Sequence, residues 1–412
     1  MAYTLLRNGT LIDGRGGAPI PDAAVLIKGE RIRAAGRLAD IPQPEGEIAT
    51  IDLAGGAILP GLIDTHVHLV FEGFDLVAMM NTPFSMRFYK VMERMKRTLV
   101  AGITTVRDAS GADLGMKRAV EQGLIAGPRL QISITGLSCT GGHGDDWTVS
   151  GSNPGVPPYP GQPDGLCDGI DEVRRKVREV LRAGADVIKV STTGGVLSPT
   201  DHPTHTQFSP EELDVIVREA SYRGKRVMAH AQGTPGIKNA LRAGIHSIEH
   251  GIYLDDECIE IMLRQGTFLV PTLLAPVMVL EAGTESGKMP EYGVRKAREV
   301  IGIHHASAAK AYRAGVKIAM GTDSGVGAHG QNLRELGLLC EIGMSPMEAL
   351  VATTKTAAEC LGWEDQLGTL EPGKLADVVV ARTDPLADIR SLESKENIAL
   401  VLQGGRIVVD RR

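Results

Sequence analysis

His66 and His68 stand one residue apart at the end of an apolar segment that follows the turn at Pro60-Gly61. In a β-strand, residues i and i+2 point to the same face, so these two imidazoles would project side by side. Neutral imidazole is a common metal ligand, and two neighbours at one strand end can bind the same ion. Two histidines on one strand face are more commonly ordinary packing or surface groups, so a metal site requires further ligands elsewhere in the chain.

Four further strand-like segments end in side chains that can bind metals. These side chains are Lys189, His230, His250 and Asp323. Each alone has a commoner explanation, as a chain-end lysine, a packed histidine or a turn residue, but together they all fall at strand ends. A buried, unpaired ammonium group is costly, and carboxylation of Lys189 by CO2 would turn it into an anion that can bridge two cations. Imidazole and carboxylate ligands suit Zn2+ and similar ions.

The middle of the chain alternates strand-like and helix-like segments. Eight strand candidates lie at residues 58–65, 104–108, 130–134, 186–190, 226–230, 247–250, 267–272 and 317–322. Capping signals at Ser209 and Ser345 begin two of the helices, and Ala-Gly stops end several others. Eight such units predict an α/β fold, a (β/α)8 TIM barrel, in which the C-terminal strand ends converge on one mouth. The alternative, an open doubly wound sheet, would require a Gly-rich phosphate loop that this sequence lacks.

Both ends of the chain contain short β-like segments separated by turns such as Asn8-Gly9 and Gly404-Gly405. We predict that residues 1–56 plus 369–412 form a small β-sandwich domain. The barrel, residues 57–368, would be inserted between these two parts. Three long connections, at 137–168, 192–207 and 273–290, would cover the mouth of the barrel, and the first of them carries His143.

The composition excludes several classes of protein. The net charge is −6, from 44 basic and 50 acidic residues, so no nucleic-acid partner and no anionic membrane surface is expected. No apolar run approaches the roughly 18 residues that a membrane-spanning helix requires. The five cysteines are scattered without Cys-x-x-Cys spacing, which disfavours a disulfide framework or a thiolate zinc site and favours a cytoplasmic location.

The chain resembles members of the amidohydrolase superfamily over essentially its whole length. The matching stretches are residues 60–68, 187–189, 229–231, 248–251, 321–324 and 370–379. Within the superfamily, residues 141–145, 193–198 and 207–213 are most similar to the imidazolonepropionase-like and Xaa-Pro-dipeptidase-like branch. Enzymes of this branch hydrolyse the amide bond of dipeptides or N-acyl amino acids, and some are carboxypeptidase-like enzymes that degrade ochratoxin-type conjugates.

The resemblance implies a centre of two divalent metal ions, with Zn2+ as the expected metal. Its ligands would be His66, His68 and Asp323 for one ion, His230 and His250 for the other, and carboxylated Lys189 as the bridge. True imidazolonepropionases use one metal and lack this lysine, so Lys189 favours two metals and peptide-like amides. The expected partner is a small-molecule amide substrate, and the resemblance also implies a homo-oligomer, an octamer.

These inferences lead to a hypothesis for the reaction. A hydroxide shared by the two ions would attack the scissile carbonyl, and Asp323 would accept its proton and pass it to the leaving amine. His143 would help to hold the oxyanion, and Tyr253, just after the sixth strand, would contact the substrate. Two alternatives stay open. The same centre could hydrolyse cyclic amides, lactones or xenobiotic esters, or the chain could be a non-catalytic scaffold, which the six filled ligand positions disfavour.

Overall fold

The computed structural model describes residues 3–73, 75–148, 150–153, 158–285 and 289–412. Parts of two predicted long loops, at residues 149, 154–157 and 286–288, lie outside the described residues. The chain divides into two compact units. The first contains Met1–Asp64, Lys96–Thr105 and Gly330–Arg412, and the second contains Thr65–Met95 and Val106–His329. The predicted domain boundaries at residues 56 and 368 stay a prediction.

Strands and helices alternate along most of the described chain. The strands are β1 (Tyr3–Leu11), β2 (Ile20–Lys28), β3 (Arg31–Arg37), β4 (Ile48–Asp52), β5 (Ala57–Pro60), β6 (Leu62–Val67), β7 (Ile103–Asp108), β8 (Arg129–Ile132), β9 (Gly136–Leu137), β10 (Val187–Ser191), β11 (Arg226–Ala231), β12 (Ser247–His250), β13 (Phe268–Val270), β14 (Val378–Ala381), β15 (Ile398–Gln403) and β16 (Arg406–Asp410). The helices are α1 (Leu76–Met80), α2 (Phe84–Val100), α3 (Leu114–Glu121), α4 (Ile170–Arg182), α5 (Pro210–Ser221), α6 (Thr234–Arg242), α7 (Asp256–Gln265), α8 (Leu274–Glu285), α9 (Glu291–Ala314), α10 (Arg334–Glu341), α11 (Pro346–Ala352) and α12 (Lys355–Leu361). None of these helices combines the length and the apolar character needed to cross a membrane.

The first unit is built on an eight-stranded sheet with the order β16-β15-β14-β5-β1-β2-β3, in which β4 also pairs with β1. Strand β1 pairs in parallel with β4 over residues 3–7 and with β5 over residues 10–11, so one strand joins both parts of the sheet. Strand β14, from the C-terminal part of the chain, pairs antiparallel with β5. The sequence predicts a β-sandwich here, and because β1 bridges the two parts, the structure has one continuous sheet.

The remaining strands form a five-stranded parallel sheet, β13-β12-β11-β10-β9, and a three-stranded sheet, β6-β7-β8. These sheets contain seven of the eight predicted strands of the middle segment. The predicted eighth strand, 317–322, makes an isolated bridge between Ile318 and Leu269 rather than a continuous ladder. Its backbone hydrogen bonds alternate between two neighbours, Leu269 on one side and Thr65 on the other.

Both predicted capping boxes are confirmed. The Ser209 hydroxyl accepts a hydrogen bond from the backbone N–H of Glu212, whose carboxylate accepts one from the backbone N–H of Ser209. Ser345 and Glu348 form the same pair at the start of α11. Proline follows the capping serine in both helices, where its missing N–H and fixed φ are compatible with the first turn. The box at Ser209 therefore fixes where α5 begins after the loop of residues 192–207.

Candidate metal centre

The second unit contains a cavity of about 680 Å³ on which the predicted ligands converge. It is lined by His66, His68, His143, Lys189, His230, His250 and Asp323, among others. His66 and Lys189 lie within strands β6 and β10, and the other predicted ligands lie at or just after the C-terminal ends of their strand segments. The structure thus brings together side chains that are distant in the chain. His66 and Asp323, the most distant pair, are about 257 positions apart.

His66, His68 and Asp323 form a compact set of ligand atoms. Within the described residues, they are the group of three whose potential ligand atoms all lie within 4.8 Å of one another. Asp323 Oδ1 is 3.5 Å from His66 Nε2 and 3.3 Å from His68 Nε2. Burial alone would raise the pKa of the Asp323 carboxyl, but the neighbouring His66 and His68 outweigh it and hold that pKa well below its usual range. The carboxylate is therefore ionised at neutral pH.

His230 and His250 lie beside this set. Their ring centroids are 4.7 Å apart, and His250 is 5.2 Å from the ring of His66. His230 Nε2 lies 3.0 Å from the carbonyl oxygen of Gly194, and a carbonyl can only accept, so this nitrogen carries the proton and Nδ1 keeps its lone pair. Burial lowers the pKa of both imidazoles well below the ordinary value, so both are neutral, as metal ligands must be.

Lys189 lies within β10 and is 5% exposed. Burial lowers the pKa of its ammonium group to about 8, although the negative charges of Glu249 and Asp323 oppose this shift. Lowering the pKa raises the fraction of neutral amine, the form that can add to CO2. The position of Lys189 on the cavity wall and its altered pKa are therefore both compatible with carboxylation.

A buried carboxylate that the sequence reasoning missed holds His66 in place. Glu249 Oε2 lies 2.7 Å from His66 Nδ1, and Arg107 donates to Glu249 Oε1 at 2.9 Å. Ser247 donates to the same oxygen at 2.5 Å, and all four side chains are buried. A carboxylate that accepts from Nδ1 of an imidazole fixes the proton on that nitrogen and directs the Nε2 lone pair toward a metal.

His143, in the first long loop, is held by a closed set of hydrogen bonds. Its Nδ1 lies 3.0 Å from Ser198 Oγ, and the Ser198 hydroxyl donates a short hydrogen bond to Asp201. Gln207 completes the set, because its Oε1 accepts from the His143 backbone N–H at 3.0 Å and its Nε2 donates to Asp201 at 2.9 Å. Lys296, on α9, stabilises the second long loop, which carries Ser198 and Asp201, by donating to three of its backbone carbonyls.

This hydrogen-bond set determines what the ring of His143 can do. Because the Ser198 proton goes to Asp201, the Ser198 oxygen accepts from His143 Nδ1–H, which leaves a lone pair on Nε2. Burial lowers the pKa of His143 to about 4, so the ring is neutral at pH 7. The predicted role in holding an oxyanion requires an N–H at Nε2. The neutral ring in this tautomer can only accept there.

Two residues of the centre have backbone conformations that L-amino acids rarely adopt. His250 has φ of 72° and Asp323 has φ of 59°, both in the left-handed region. His250 is also held by His304, whose Nε2 lies 3.0 Å from the carbonyl oxygen of His250. This conformation has an energetic cost for His250, whereas an aspartate such as Asp323 tolerates it better, and strained positions of this kind cluster at functional sites. The backbone at these two strand ends therefore directs both side chains toward the cavity.

Tyr253 is not among the residues that line the cavity. It packs against an apolar cluster that includes Ile252 and Val300, and its backbone N–H donates to the carbonyl of Gln232. Its predicted contact with substrate receives no support from this placement and stays a prediction.

The residues that position the predicted ligands could have been recognised in the sequence, because they are charged residues within otherwise apolar strands. Arg107 and Asp108 end β7, and Glu249 directly precedes His250, yet all three side chains are buried. Asp108 accepts hydrogen bonds from the backbone N–H groups of Leu69 and Ala112, and burial raises its pKa to about 6. It therefore fixes the backbone that follows His68.

The set of donors fits divalent metal ions. Four imidazoles, an ionised carboxylate and a lysine of lowered pKa line one cavity, and hydrogen bonds orient all four rings. Imidazole with carboxylate is a ligand combination typical of zinc and related ions.

Comparisons with known proteins point to one family. The model of the amidohydrolase family matches residues 57–408. Ochratoxinase of Aspergillus niger is 35% identical over 420 residues, which cover 98% of this chain and 86% of that protein. A crystal structure of a Xaa-Pro dipeptidase with methionine bound in its active site has a TM-score of 0.89 at 35% identity and covers 98% of this chain and 99% of that chain. A crystal structure of a prolidase complexed with N-methylphosphonate-L-proline has a TM-score of 0.91 at 35% identity over 100% of both chains.

Proposed function

The chain belongs to the amidohydrolase family, and from this premise we propose that it hydrolyses the amide bond of N-acyl amino acids and dipeptides. The observation that carries the proposal is the convergence of four imidazoles, a lysine and an ionised carboxylate on one cavity. Similarity to proteins named ochratoxinase, Xaa-Pro dipeptidase and prolidase supports an amide that involves an amino acid.

We propose that the strands around the cavity form a (β/α)8 barrel. Two hydrogen-bonded connections support it. The N–H of Asp186, just before β10, donates to the carbonyl of Ile132 in β8, which links the two sheets on one side. On the other side, residues 317–320 bond to both Leu269 in β13 and Thr65 in β6. A barrel would collect the C-terminal strand ends at one mouth, and the convergence of His230, His250 and Asp323 on one cavity supports this proposal.

In this proposal the centre holds two divalent metal ions. His66, His68 and Asp323 would bind one ion, His230 and His250 the other, and Lys189, carboxylated on Nζ, would contact both. When bound, the ions supply a water of lowered pKa as the nucleophile and polarise the scissile carbonyl.

Asp323 is proposed to move the proton. Its carboxylate is ionised at neutral pH, so it can accept a proton at Oδ1 from the attacking water. It would then deliver that proton to the leaving nitrogen, because an amide anion is too basic to leave unprotonated. His143 would accept a hydrogen bond at Nε2, which suits the N–H of the scissile amide better than a developing oxyanion.

Metal analysis combined with a substrate screen tests the proposed function. We expect two equivalents of divalent metal per chain and turnover of N-acetyl-L-amino acids. Asp323→Asn should retain the fold and lose about 100-fold or more in kcat, the range of general acid–base catalysis. Asp171→Asn is the matched control, because that side chain is 95% exposed on α4. A metal-loaded wild type that cleaves no acylated amino acid, or an Asp323→Asn variant with full turnover, would refute the proposal.

A further inference from the structure

One part of the cavity wall is a cluster of aromatic rings. Phe84 and Phe88, in the first turns of α2, contact each other at a centroid distance of 5.4 Å, and both contact Tyr159, at 5.1 and 6.0 Å. All three rings line the cavity that contains the predicted metal ligands. Such a wall offers a large apolar surface to one group of a bound molecule.

Arg87 lies three residues after Phe84 on α2, a spacing that places two side chains on the same helix face, and it lines the same cavity as the three rings. Its guanidinium group is half-buried and lines the same cavity. Its hydrogen bond within the described chain is a long one, 3.5 Å from Nη2 to the carbonyl oxygen of Met79. No carboxylate of the described residues lies within ion-pair distance of it.

Two Arg or Lys side chains of the described residues line the cavity, and one of them already has a predicted role. Arg87 and Lys189 are the Arg and Lys side chains among the described residues that line it, and Lys189 lies among the predicted metal ligands. Asp145 accepts hydrogen bonds from the backbone N–H groups of Gly141 and Trp147. Among the residues that the structure describes, Arg87 is therefore the cation on this wall that is available to an anionic group of a ligand.

We propose that Arg87 binds the carboxylate of the substrate's C-terminal amino acid, and that the aromatic cluster of Phe84, Phe88 and Tyr159 contacts its side chain. This inference rests on the proposed function and assigns, within it, the residues that would select an amino acid with a free carboxylate and an apolar, preferably aromatic, side chain. A guanidinium group binds a carboxylate with two parallel hydrogen bonds, which fixes the orientation of the amino acid as well as its charge.

Equilibrium binding of two probes to the metal-loaded protein tests this proposal without requiring turnover. L-Phenylalanine has the carboxylate, and L-phenylalaninamide replaces it with a neutral group of similar shape. We expect the wild type to bind L-phenylalanine about 10- to 100-fold more tightly in calorimetric titrations, which is the range for a charge-assisted hydrogen bond. Arg87→Met should abolish this preference, and Arg87→Lys should retain part of it.

A matched control separates the local effect from a general change in charge. Arg175→Met removes an exposed guanidinium on α4 and should leave the preference unchanged. If Arg87→Met keeps the preference, or if the wild type has none, Arg87 is not the carboxylate ligand and the proposal is overturned. If Arg87→Met does not fold, the comparison of Arg87→Lys with the wild type decides, because an unchanged preference there contradicts bidentate binding.

Kinetics distinguish failure of this inference from failure of the proposed function. N-acetyl-L-phenylalanine and N-acetyl-L-phenylalaninamide contain the same scissile amide, and only the first has the carboxylate. We expect Arg87→Met to raise KM about 10-fold or more for the first substrate and to leave the second within about twofold. If Arg87→Met loses the binding preference and the wild type shows no turnover, the carboxylate site is supported and the proposed function is rejected.

Discussion

Glu249 Oε2 lies 2.7 Å from His66 Nδ1, and neither side chain is exposed to solvent. Arg107 donates to the other carboxylate oxygen, so a buried guanidinium, a carboxylate and an imidazole form a chain that ends at the centre. A histidine ligand oriented by a carboxylate binds metal more tightly, and loss of such a partner typically weakens metal binding by about 10- to 100-fold.

Glu249→Gln should therefore lower metal affinity by about 10- to 100-fold while keeping the size of the side chain. It should also destabilise the fold by about 3 kcal/mol, because it removes the negative charge that faces the buried Arg107. Competition with a chromophoric chelator measures the first effect, and urea unfolding measures the second. Glu260→Gln, at an exposed position on α7, is the control. Wild-type metal affinity in Glu249→Gln would contradict a role in orienting His66.

The hydrogen bond from His143 to Ser198 leads to a second prediction. Ser198→Ala removes the oxygen that accepts from His143 Nδ1, so the ring loses its fixed tautomer and orientation. We expect kcat to fall about 10-fold with a smaller change in KM, because a positioning contact acts mainly on the bound substrate.

Ser198→Thr keeps the hydroxyl and should retain most of the activity, which separates the hydrogen bond from a packing effect. Ser221→Ala, which removes an exposed hydroxyl at the end of α5, is the matched control. Steady-state kinetics on the best N-acyl amino acid provides the measurement. Equal kcat values for Ser198→Ala and the wild type would show that the ring is held without Ser198.

Local patterns account for the parts of the structure that the sequence could predict. Seven of the eight predicted strands of the middle segment are present, because buried strands are short apolar runs that end at glycine or proline signals. The capping boxes at Ser209 and Ser345 are equally local, since each involves residues three positions apart. The candidate metal-binding histidines could also be predicted, because a histidine at the end of an apolar segment is a local feature of the sequence.

The supporting network could not be predicted because its contacts are distant in the chain. His66 and Glu249 are 183 positions apart, and His143 and Ser198 are 55 apart, on two different loops. No short motif records which carboxylate will face which imidazole. The predicted eighth strand lacks a ladder for a related reason, since its backbone bonds depend on two neighbours that are distant in sequence. The direction of the His143–Ser198–Asp201 hydrogen bonds likewise follows only from the coordinates.

The capping box at Ser209 gives a third prediction, on stability. The hydroxyl satisfies the backbone N–H of Glu212, and the Glu212 carboxylate also accepts from the backbone N–H of Gly169 at 2.7 Å. Ser209→Ala should therefore lower the free energy of unfolding by about 1 kcal/mol, and Ser209→Asp should retain it. Urea unfolding followed by circular dichroism measures both variants. An equal loss in Ser209→Asp would mean that substitution at this position, rather than loss of the cap, destabilises the helix.

The lowered pKa of Lys189 gives a fourth prediction, on assembly of the centre. Only the neutral amine adds to CO2, and burial brings the pKa of this group to about 8. With that pKa, the neutral fraction rises from about 3% at pH 6.5 to about 75% at pH 8.5, so at a fixed concentration of dissolved CO2 carboxylation should be about 25-fold faster at the higher pH. Metal-free protein equilibrated at each pH with the same partial pressure of CO2 should therefore regain metal and activity faster as the pH rises through 8, and CO2-depleted buffer should slow recovery at every pH. Recovery is measured by removing the metal with a chelator, adding Zn2+ and following activity against time.

Lys117, which forms an ion pair with Asp186 on the same unit, provides the control, since Lys117→Met should leave the pH dependence unchanged. A recovery rate that is independent of both pH and CO2 would show that assembly of the centre does not require carboxylation of Lys189.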